Sequence, residues 1–206
     1  MFIEQPSDWL RWIFPGALWR MDKEDRAVYL TFDDGPIPEV TPKVLDILDH
    51  YGIKATFFMV GDNVRKHPDI YQMVVDRGHR IGNHTFNHIG GMRHGIRSYL
   101  NNVAKANQYL HTDLIRPPYG WMKWEQYLFL YRHYQLVMWD LVTRDYSRHM
   151  SAEGVFANVQ KYTRPGSIIT FHDSIKSWPK LVTALPRSIE WLEQQGYSFK
   201  TFPRIK

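Results

Sequence analysis

The sequence predicts an α/β protein with a parallel sheet, and three observations support this fold class. Short apolar segments suited to buried strands alternate with helical patterns about every 25 to 30 residues, which is typical of βαβ units. Seven such strand segments can be counted. Polar clusters follow several of them directly, and functional side chains of parallel α/β proteins lie at the carboxyl ends of strands.

The strands are predicted from apolar runs that end at glycine, proline or polar residues. Their predicted ranges are 27–32, 55–60, 80–83, 114–116, 135–139, 167–171 and 197–202. Apolar residues spaced three and four apart predict helices between the strands, with Thr41 and Ser151 as N-caps of two of them. The predicted helices begin after Thr41 and cover 68–76, 96–111, 124–133, 152–162 and 180–195, whereas 61–63 is predicted as a loop.

The chain is predicted to have two parts, an N-terminal arm over residues 1–22 and a catalytic domain over residues 23–206. The arm is rich in tryptophan and other large apolar residues, with Arg11 and Arg20 between them. The first interpretation is an arm or helix packed on the outside of the domain. The alternative is peripheral membrane contact through residues 2–20, because tryptophan and arginine on a short amphipathic segment suit the headgroup region of a bilayer.

The start of the sequence does not predict a signal peptide. Glu4 and Asp8 occur early, and Arg11, Pro15 and Gly16 interrupt the apolar stretch. We therefore expect a cytoplasmic location, with membrane association through the arm as the alternative.

Composition excludes several other classes of protein. The 206 residues are sufficient for one sizeable core, and no apolar run is long enough for a membrane span. The formal charge of +5 comes without a basic stripe or a known nucleic-acid-binding module, so no nucleic-acid partner is predicted. The chain has no cysteine, which excludes disulfides and thiolate metal sites. The oligomeric state is not predicted.

Two adjacent carboxylates end the first predicted strand. Asp33 and Asp34 follow an apolar run and precede Gly35-Pro36. Two desolvated carboxylates repel each other unless a cation or a base lies nearby or water reaches them. The alternative interpretation is an ordinary turn, because Asp-Asp-Gly-Pro also suits one.

Two histidines four residues apart, His84 and His88, are the second candidate cluster. On a helix, this spacing would place both imidazoles on one face, where they could bind a metal ion. One carboxylate and two histidines are a common ligand set for a catalytic divalent ion. Surface histidines at this spacing also occur by chance, and the chain has ten histidines.

Five motifs in a fixed order resemble those of the polysaccharide deacetylase family, also called the NodB homology domain or carbohydrate esterase family 4. They are Thr-Phe-Asp-Asp-Gly at 31–35, His-Thr-x-x-His at 84–88, Arg-Pro-Pro-Tyr-Gly at 116–120, a Trp/Asp segment at 139–146 and His-Asp at 172–173. The resemblance covers about residues 27 to 202. It implies a distorted (β/α)7 barrel and a metal-dependent hydrolase that removes N-acetyl groups from amino sugars.

The resemblance also implies a role for each candidate residue. Three residues would bind one divalent metal, with Zn²⁺ expected and Co²⁺ or Ni²⁺ as alternatives: Asp34, His84 and His88. Five residues would act on the substrate or support those that do: Asp33 as the base, Arg116 as its partner, His172 as the general acid, Asp145 as the partner of that histidine, and Tyr119 as a backbone N–H donor to the oxyanion.

Three positions depart from the usual family pattern. Val142 and Tyr146 replace an aspartate and a tryptophan in the fourth motif, and Thr170 replaces the leucine that lines the acetyl pocket. The fourth motif also contains an additional carboxylate, Asp140, whose role the resemblance does not define. Acetyl remains the expected acyl group, with formyl as an alternative.

The expected substrate is an N-acetylated poly- or oligosaccharide, peptidoglycan-like or chitin-like, and a role in the bacterial cell wall follows from that expectation. Three alternatives remain at this point. They are deacylation of a lipid-linked sugar at the membrane surface, cleavage of an O-acetyl ester, and a carbohydrate-binding relic without activity. The relic would have lost its base or a metal ligand, and both are present here.

Overall fold

The computed structural model describes residues 4–204 of the chain. Residues 1–3 of the predicted arm lie outside the described residues, and they include the first two residues of the predicted membrane contact, 2–3. The last two residues of the predicted domain, 205–206, also lie outside them. None of the helices in the described part of the chain is long and apolar enough to cross a bilayer.

One parallel sheet forms the centre of the molecule. Between residues 4 and 204 its strands are β1 Ala27–Asp33, β2 Thr56–Met59, β3 Arg80–Asn83, β4 Leu114–Ile115, β5 Gln135–Leu136, β6 Leu141–Val142, β7 Ile168–His172 and β8 Ser198–Phe199. Seven of them follow the order β5-β4-β3-β2-β1-β7-β6, and β8 pairs with β1 outside this path.

The connection between β5 and β6 shows that this sheet is curled. These strands stand at opposite ends of the seven-strand order, yet only five residue steps separate Leu136 from Leu141. Five steps span at most about 17 Å, whereas seven strands in a flat sheet would place the outer two about 29 Å apart. The sheet therefore closes toward a barrel, which confirms the predicted distorted (β/α)7 fold.

The predicted number of barrel strands is correct, but one member differs. The predicted last strand, 197–202, is reduced to β8, which pairs only with the first two residues of β1. The seventh strand of the path is β6, Leu141–Val142, which the sequence did not reveal. Two apolar residues between Asp140 and Thr143 are too short a run for a pattern to indicate.

β1 lies at the centre of the sheet, and all seven of its residues are buried. The Phe32 ring stacks on Phe57 of β2 at 5.0 Å between centroids and on Phe171 of β7 at 5.9 Å. These contacts fix the three central strands side by side. The ends of these strands consequently have little freedom to move relative to one another.

The helices largely follow the predictions. They are α1 Asp8–Arg11, α2 Thr41–His50, α3 Gly61–Lys66, α4 Pro68–Asp76, α5 Ile96–Leu110, α6 Trp124–His133, α7 Ala152–Tyr162 and α8 Trp178–Gln194. The side chain of Ser151 accepts a hydrogen bond from the backbone N–H of Gly154, as expected of an N-cap. Short 3-10 turns cover Gly91–Arg93 and Pro118–Gly120.

Two local predictions were wrong. The predicted loop at 61–63 is the start of α3, whose first residue, Gly61, packs against the backbone of Ala106 in α5. Thr41 is the first helical residue of α2 and not its cap, which is Val40. The Thr41 hydroxyl accepts a hydrogen bond from the N–H of Ile37 at 2.8 Å and donates to the Asp173 carboxylate at 2.6 Å.

The N-terminal segment runs along the barrel. Phe14 contacts Trp121 and Tyr127, with ring centroids at 6.4 and 5.3 Å, and Leu18 forms a parallel bridge with Val137 just after β5. This segment therefore packs against the loop that follows β4 and against α6. The division into an arm and a catalytic domain at residue 22 stays a prediction.

Candidate active site

The carboxyl ends of the central strands bring distant parts of the chain together. In the register of β1 and β7, Asp33 pairs with His172, and in the register of β3 and β4, Asn83 pairs with Ile115. The next residues along those last two strands are His84 and Arg116. Because the strands are parallel, all of these side chains lie at one end of the barrel.

Asp34, His84 and His88 form a three-residue cluster at this end. One possible ligand atom from each lies within 4.8 Å of the others. Oδ1 of Asp34 is 3.2 Å from Nε2 of His88 and 3.9 Å from Nε2 of His84. The predicted metal ligands are therefore close together.

The two histidines converge without the predicted helical turn. Residues 84–90 carry no helix, and Thr85 and His88 adopt positive φ values of 64° and 54°. The side chain of Asn83 supports this turn by accepting from the N–H of Thr85 at 2.8 Å. The expectation of convergence was correct, but an irregular turn after β3 produces it.

The environment of His84 leaves Nε2 available to a metal ion. Its Nδ1 lies 2.7 Å from the carbonyl oxygen of Arg116, which can only accept, so Nδ1 carries the proton. Burial lowers the pKa of His84 to about 4 despite the nearby carboxylates. A neutral histidine whose second nitrogen is fixed by a hydrogen bond is the typical form of a metal ligand.

Asp34 is ionised and held at an unusual backbone position. Its φ is +85°, and the side-chain amide of Asn63 donates to its carbonyl oxygen at 2.8 Å. Burial would raise its pKa, but a hydrogen bond from His88 and the charges of the surrounding histidines outweigh burial and lower the pKa. An anionic oxygen therefore faces two imidazoles.

This donor set fits one divalent ion. Ligand atoms around a tetrahedral zinc at about 2.1 Å lie about 3.4 Å apart. Oδ1 of Asp34 lies at 3.2 and 3.9 Å from the two histidine nitrogens. Two imidazoles and one carboxylate suit Zn²⁺ and other borderline divalent ions, and three protein ligands leave further positions open. Asp34, His84 and His88 are the group of this kind found among the described residues.

Arg116 and Asp33 form a buried ion pair next to this cluster. Nη1 of Arg116 donates to Oδ1 of Asp33 at 2.7 Å and to the hydroxyl of Thr31 at 2.8 Å. Its other nitrogens donate to the carbonyl oxygens of Val137 and Met138. The guanidinium is fully buried, which lowers its pKa although Asp33 opposes this effect. One Asp33 oxygen is thus fixed, and the second remains available for chemistry.

His172 and Asp145 form a second pair. Nδ1 of His172 lies 2.8 Å from Oδ1 of Asp145, and its backbone N–H donates to Oδ2 at 2.7 Å. Burial by itself would lower the pKa of His172, but the charge and hydrogen bond of Asp145 raise it to about 9. The edge of the Tyr146 ring packs on the imidazole at 4.8 Å, where the family usually has tryptophan. His172 is therefore protonated at neutral pH, and Nε2 is its remaining donor.

Tyr119 lies on the rim, between the metal cluster and the arm. Its φ is +64°, its side chain is 68% exposed, and its ring packs on His88 at 5.0 Å. The role predicted for its backbone N–H stays a prediction.

Asp173 is a residue whose role the sequence did not indicate. It is fully buried, and its carboxylate accepts from the N–H of Gly35 at 3.1 Å and from the hydroxyl of Thr41. Burial raises its pKa to about 8. A Cβ at position 35 would collide with this carboxylate, so Asp173 holds the turn that presents Asp34. Its position directly after His172 was the available signal.

Asp140 does not belong to the site. It is buried against Arg11 of the arm at 2.6 Å, Arg164 at 2.7 Å and the hydroxyl of Ser167 at 2.7 Å. Burial would raise its pKa, but these hydrogen bonds lower it. The additional carboxylate of the fourth motif therefore anchors the arm to the barrel.

Comparisons with known proteins agree with this arrangement. The family profile "Polysaccharide deacetylase" matches residues 20–128. A peptidoglycan-N-acetylglucosamine deacetylase of Bacillus cereus is 36% identical over 86% of this chain and 67% of its own length. A chitooligosaccharide deacetylase of Sinorhizobium fredii is 32% identical over 86% of this chain and 91% of its own.

A solved structure resembles the whole fold. It is a peptidoglycan N-acetylglucosamine deacetylase in complex with an N-hydroxybenzamide compound, and it superimposes with a TM-score of 0.89 at 32% identity. The match covers 96% of this chain and 95% of that one.

Proposed function

The chain belongs to the polysaccharide deacetylase family and is a polysaccharide N-deacetylase, and on this premise we propose a metal-dependent reaction at the barrel end. The enzyme hydrolyses the N-acetyl groups of amino sugars in a peptidoglycan-like or chitin-like poly- or oligosaccharide and releases acetate. The peptidoglycan and chitooligosaccharide deacetylases among its relatives support this substrate class.

The observation that carries the proposal is the position of three functional units at the same strand ends. Asp33 directly precedes Asp34 in the chain and therefore lies beside the Asp34-His84-His88 cluster. In the sheet, Asp33 of β1 pairs with His172 of β7. This proximity supports the proposal that the metal ligands, the base and the acid act on one substrate group.

Asp34, His84 and His88 would hold the divalent ion. When bound, this ion supplies Lewis acidity toward the amide carbonyl oxygen and lowers the pKa of water at its open positions. We expect Zn²⁺, with Co²⁺ or Ni²⁺ as alternatives.

Asp33 takes the proton from the attacking water as the water oxygen bonds to the amide carbon. Arg116 keeps one carboxylate oxygen occupied at 2.7 Å, so the other oxygen faces the substrate in a fixed orientation. We assign Tyr119 to the oxyanion through its backbone N–H, because preorganised N–H donors stabilise a developing negative charge.

His172 donates a proton from Nε2 to the amide nitrogen as the C–N bond breaks. Asp145 holds Nδ1 and keeps the imidazole charged before the step. The products are acetate and a free amine on the sugar. One proton moves from water to Asp33 and one from His172 to nitrogen, so the bond cleavage yields acetic acid, which ionises to acetate. Asp33 then releases its proton and His172 takes one up, directly or through water, which restores the starting protonation states.

The test is acetate release from β-1,4-linked N-acetylglucosamine oligomers by the purified chain. We expect activity with added Zn²⁺ or Co²⁺ and its loss with a chelator, measured by an enzyme-coupled acetate assay. Absence of acetate from protein that holds one equivalent of metal would contradict the proposed substrate.

His88→Ala tests the metal site. We expect bound metal and rate to fall together, because one of three protein ligands is lost. The matched control is His50→Ala, which removes an exposed histidine at the far end of α2 and should change neither quantity. Full metal content and rate in His88→Ala would refute the ligand assignment.

The membrane contact and the cell location stay predictions. The arm does present Trp9 and Trp12 with exposed fractions of 57% and 80%, as a membrane contact would require. Neither relative described above is named for a lipid-linked sugar, so we do not propose that alternative.

A further inference from the structure

The N-terminal segment bonds to both ends of the curled sheet. Near β5, the backbone N–H of Leu18 donates to the carbonyl oxygen of Leu136, and the N–H of Met138 donates to that of Leu18, both at 2.8 Å. At β6, the N–H of Val142 donates to the carbonyl oxygen of Glu4 at 2.8 Å. Glu4 therefore lies against the strand that leads into the fourth motif.

The side chain of Glu4 also contacts this motif. Its carboxylate accepts a hydrogen bond from Nη1 of Arg144, two residues after the end of β6. The side chains of Glu4 and Arg144 are only 24% and 21% exposed. Burial would raise the pKa of Glu4, but the hydrogen bond and the charge of Arg144 lower it. Because water reaches this ion pair poorly, salt screens it less than an exposed pair.

Arg144 has a left-handed backbone conformation, with a φ of +62°. A residue other than glycine adopts this conformation at a cost, and it persists where the surrounding contacts hold it. One such contact is the hydrogen bond from the N–H of Ser147 to the carbonyl oxygen of Arg144 at 2.9 Å. The ion pair with Glu4 is a second, and it acts on the side chain.

The residues on either side of Arg144 are bonded to β7. The hydroxyl and the N–H of Thr143 both donate to the carbonyl oxygen of Thr170, at 2.9 and 3.1 Å. The carboxylate of Asp145 accepts from the N–H of His172 at 2.7 Å and lies 2.8 Å from its Nδ1. The backbone angles of Arg144 therefore set the direction from which Asp145 meets the imidazole.

We propose that Glu4 is a positioning residue for the general acid His172 and acts through Arg144 and Asp145. This inference rests on the proposed function, in which His172 protonates the leaving amine. Glu4 precedes the part of the chain that resembles the family, which begins at about residue 27. The inference therefore gives the start of the arm a role in the reaction, in addition to packing.

The first test is Glu4→Gln, which keeps the length of the side chain and removes its charge. We expect kcat for acetate release to fall about tenfold with KM and bound metal unchanged, because the acid loses its alignment whereas the substrate and metal contacts remain. Glu153→Gln is the matched control, because Glu153 of α7 also pairs with an arginine, Arg187 of α8. The control should change none of these quantities.

The second test compares Arg144→Ala with Arg144→Gly. Both variants remove the same charge and the same ion pair, but only glycine adopts a φ of +62° without strain. We expect Arg144→Ala to lose about tenfold in kcat and Arg144→Gly only about twofold. In the Arg144→Gly background, Glu4→Gln should cause no further loss, because the contact that it breaks is already absent.

The third test needs no substrate. NMR of the full chain with ¹⁵N-labelled histidine follows the proton on Nδ1 of His172, which Asp145 holds at 2.8 Å. We expect a low-field signal in the unmodified chain and in Glu153→Gln. In Glu4→Gln and Arg144→Ala this signal should move upfield or be lost to exchange with water.

The outcomes separate this inference from the proposed function. The inference is wrong if Glu4→Gln keeps the signal or the full kcat, if KM or bound metal changes along with kcat, or if Arg144→Gly loses as much as Arg144→Ala. Acetate release by the unmodified chain tests the proposed function independently, whereas the NMR signal tests the positioning without it. Circular dichroism and the unfolding midpoint establish that each variant is folded.

Discussion

Two carboxylate–cation pairs face each other at the barrel end and differ in one respect. Asp33 pairs with Arg116, whose guanidinium keeps its proton, and Asp145 pairs with His172, which can lose one. The distances are nearly equal, at 2.7 and 2.8 Å. The cation therefore decides what each pair can do.

In the first pair the reactive group is the carboxylate. Arg116 makes hydrogen bonds with Asp33, Thr31, Val137 and Met138, so it acts as a fixed part of the core that orients a base. In the second pair the reactive group is the cation, and the carboxylate of Asp145 maintains its charge. The same kind of contact can thus support a base or an acid.

Asp33→Asn should have the largest effect, because it removes the group that accepts a proton. We expect kcat to fall by about 10³ to 10⁴, the upper range for general base catalysis, with metal content unchanged. Acetate release and metal analysis measure the two quantities. Retained activity would show that another group is the base.

Asp145→Asn should have the next largest effect, a loss of about 10² in kcat near pH 7. The rate of the unmodified enzyme should fall as the pH rises through about 9, because the charged form of His172 is the acid. Without the Asp145 charge, burial lowers the pKa of this histidine, so the alkaline limb should move to lower pH. A pH–rate profile measures this shift, and an unmoved limb would contradict the assignment.

The same pair should affect stability in a defined pH window. The folded protein raises the pKa of His172 from 6.5 to about 9, so its contribution to the free energy of unfolding is complete below about pH 6.5. It is lost as the pH rises through about 9. Urea unfolding at pH 6 and pH 10 should show a larger difference between the unmodified chain and Asp145→Asn at the lower pH.

Arg116→Lys keeps the positive charge but loses the planar guanidinium, which donates hydrogen bonds to several acceptors at once. We expect kcat to fall by about 10 to 10², because Asp33 loses its fixed orientation. The free energy of unfolding should fall by about 3 kcal/mol, because buried acceptors are left without donors. Chemical denaturation and acetate release measure both effects, and metal content is the control because Arg116 is not a ligand.

Thr170→Val should have the smallest effect. The Thr170 hydroxyl lies 3.2 Å from that of Thr31, which accepts from Arg116, so it links β7 to the first pair. Loss of one buried hydrogen bond should cost about 1 kcal/mol of unfolding free energy and less than about threefold in kcat. A loss as large as that of Arg116→Lys would place Thr170 in the substrate pocket instead.

The predictions were correct where the residues of one short segment determine its secondary structure. The apolar run of β1 predicted a buried strand, and the carboxylates that follow it were correctly placed at its end. The helical spacing of His84 and His88 predicted convergence for the wrong reason, because positive φ values in an irregular turn bring the rings together. The spacing of two residues along the sequence does not indicate an irregular turn of this kind.

The sequence by itself determined the fold class, the strand ends and the residue types available for chemistry, because these follow from local patterns and from motifs in a fixed order. Only the tertiary structure decided which groups meet. It paired Asp140 with Arg11 and Arg164, and it placed Asp173 against the turn at Gly35. These contacts join residues far apart in the chain, and pairings at such separations depend on how the sheet curls.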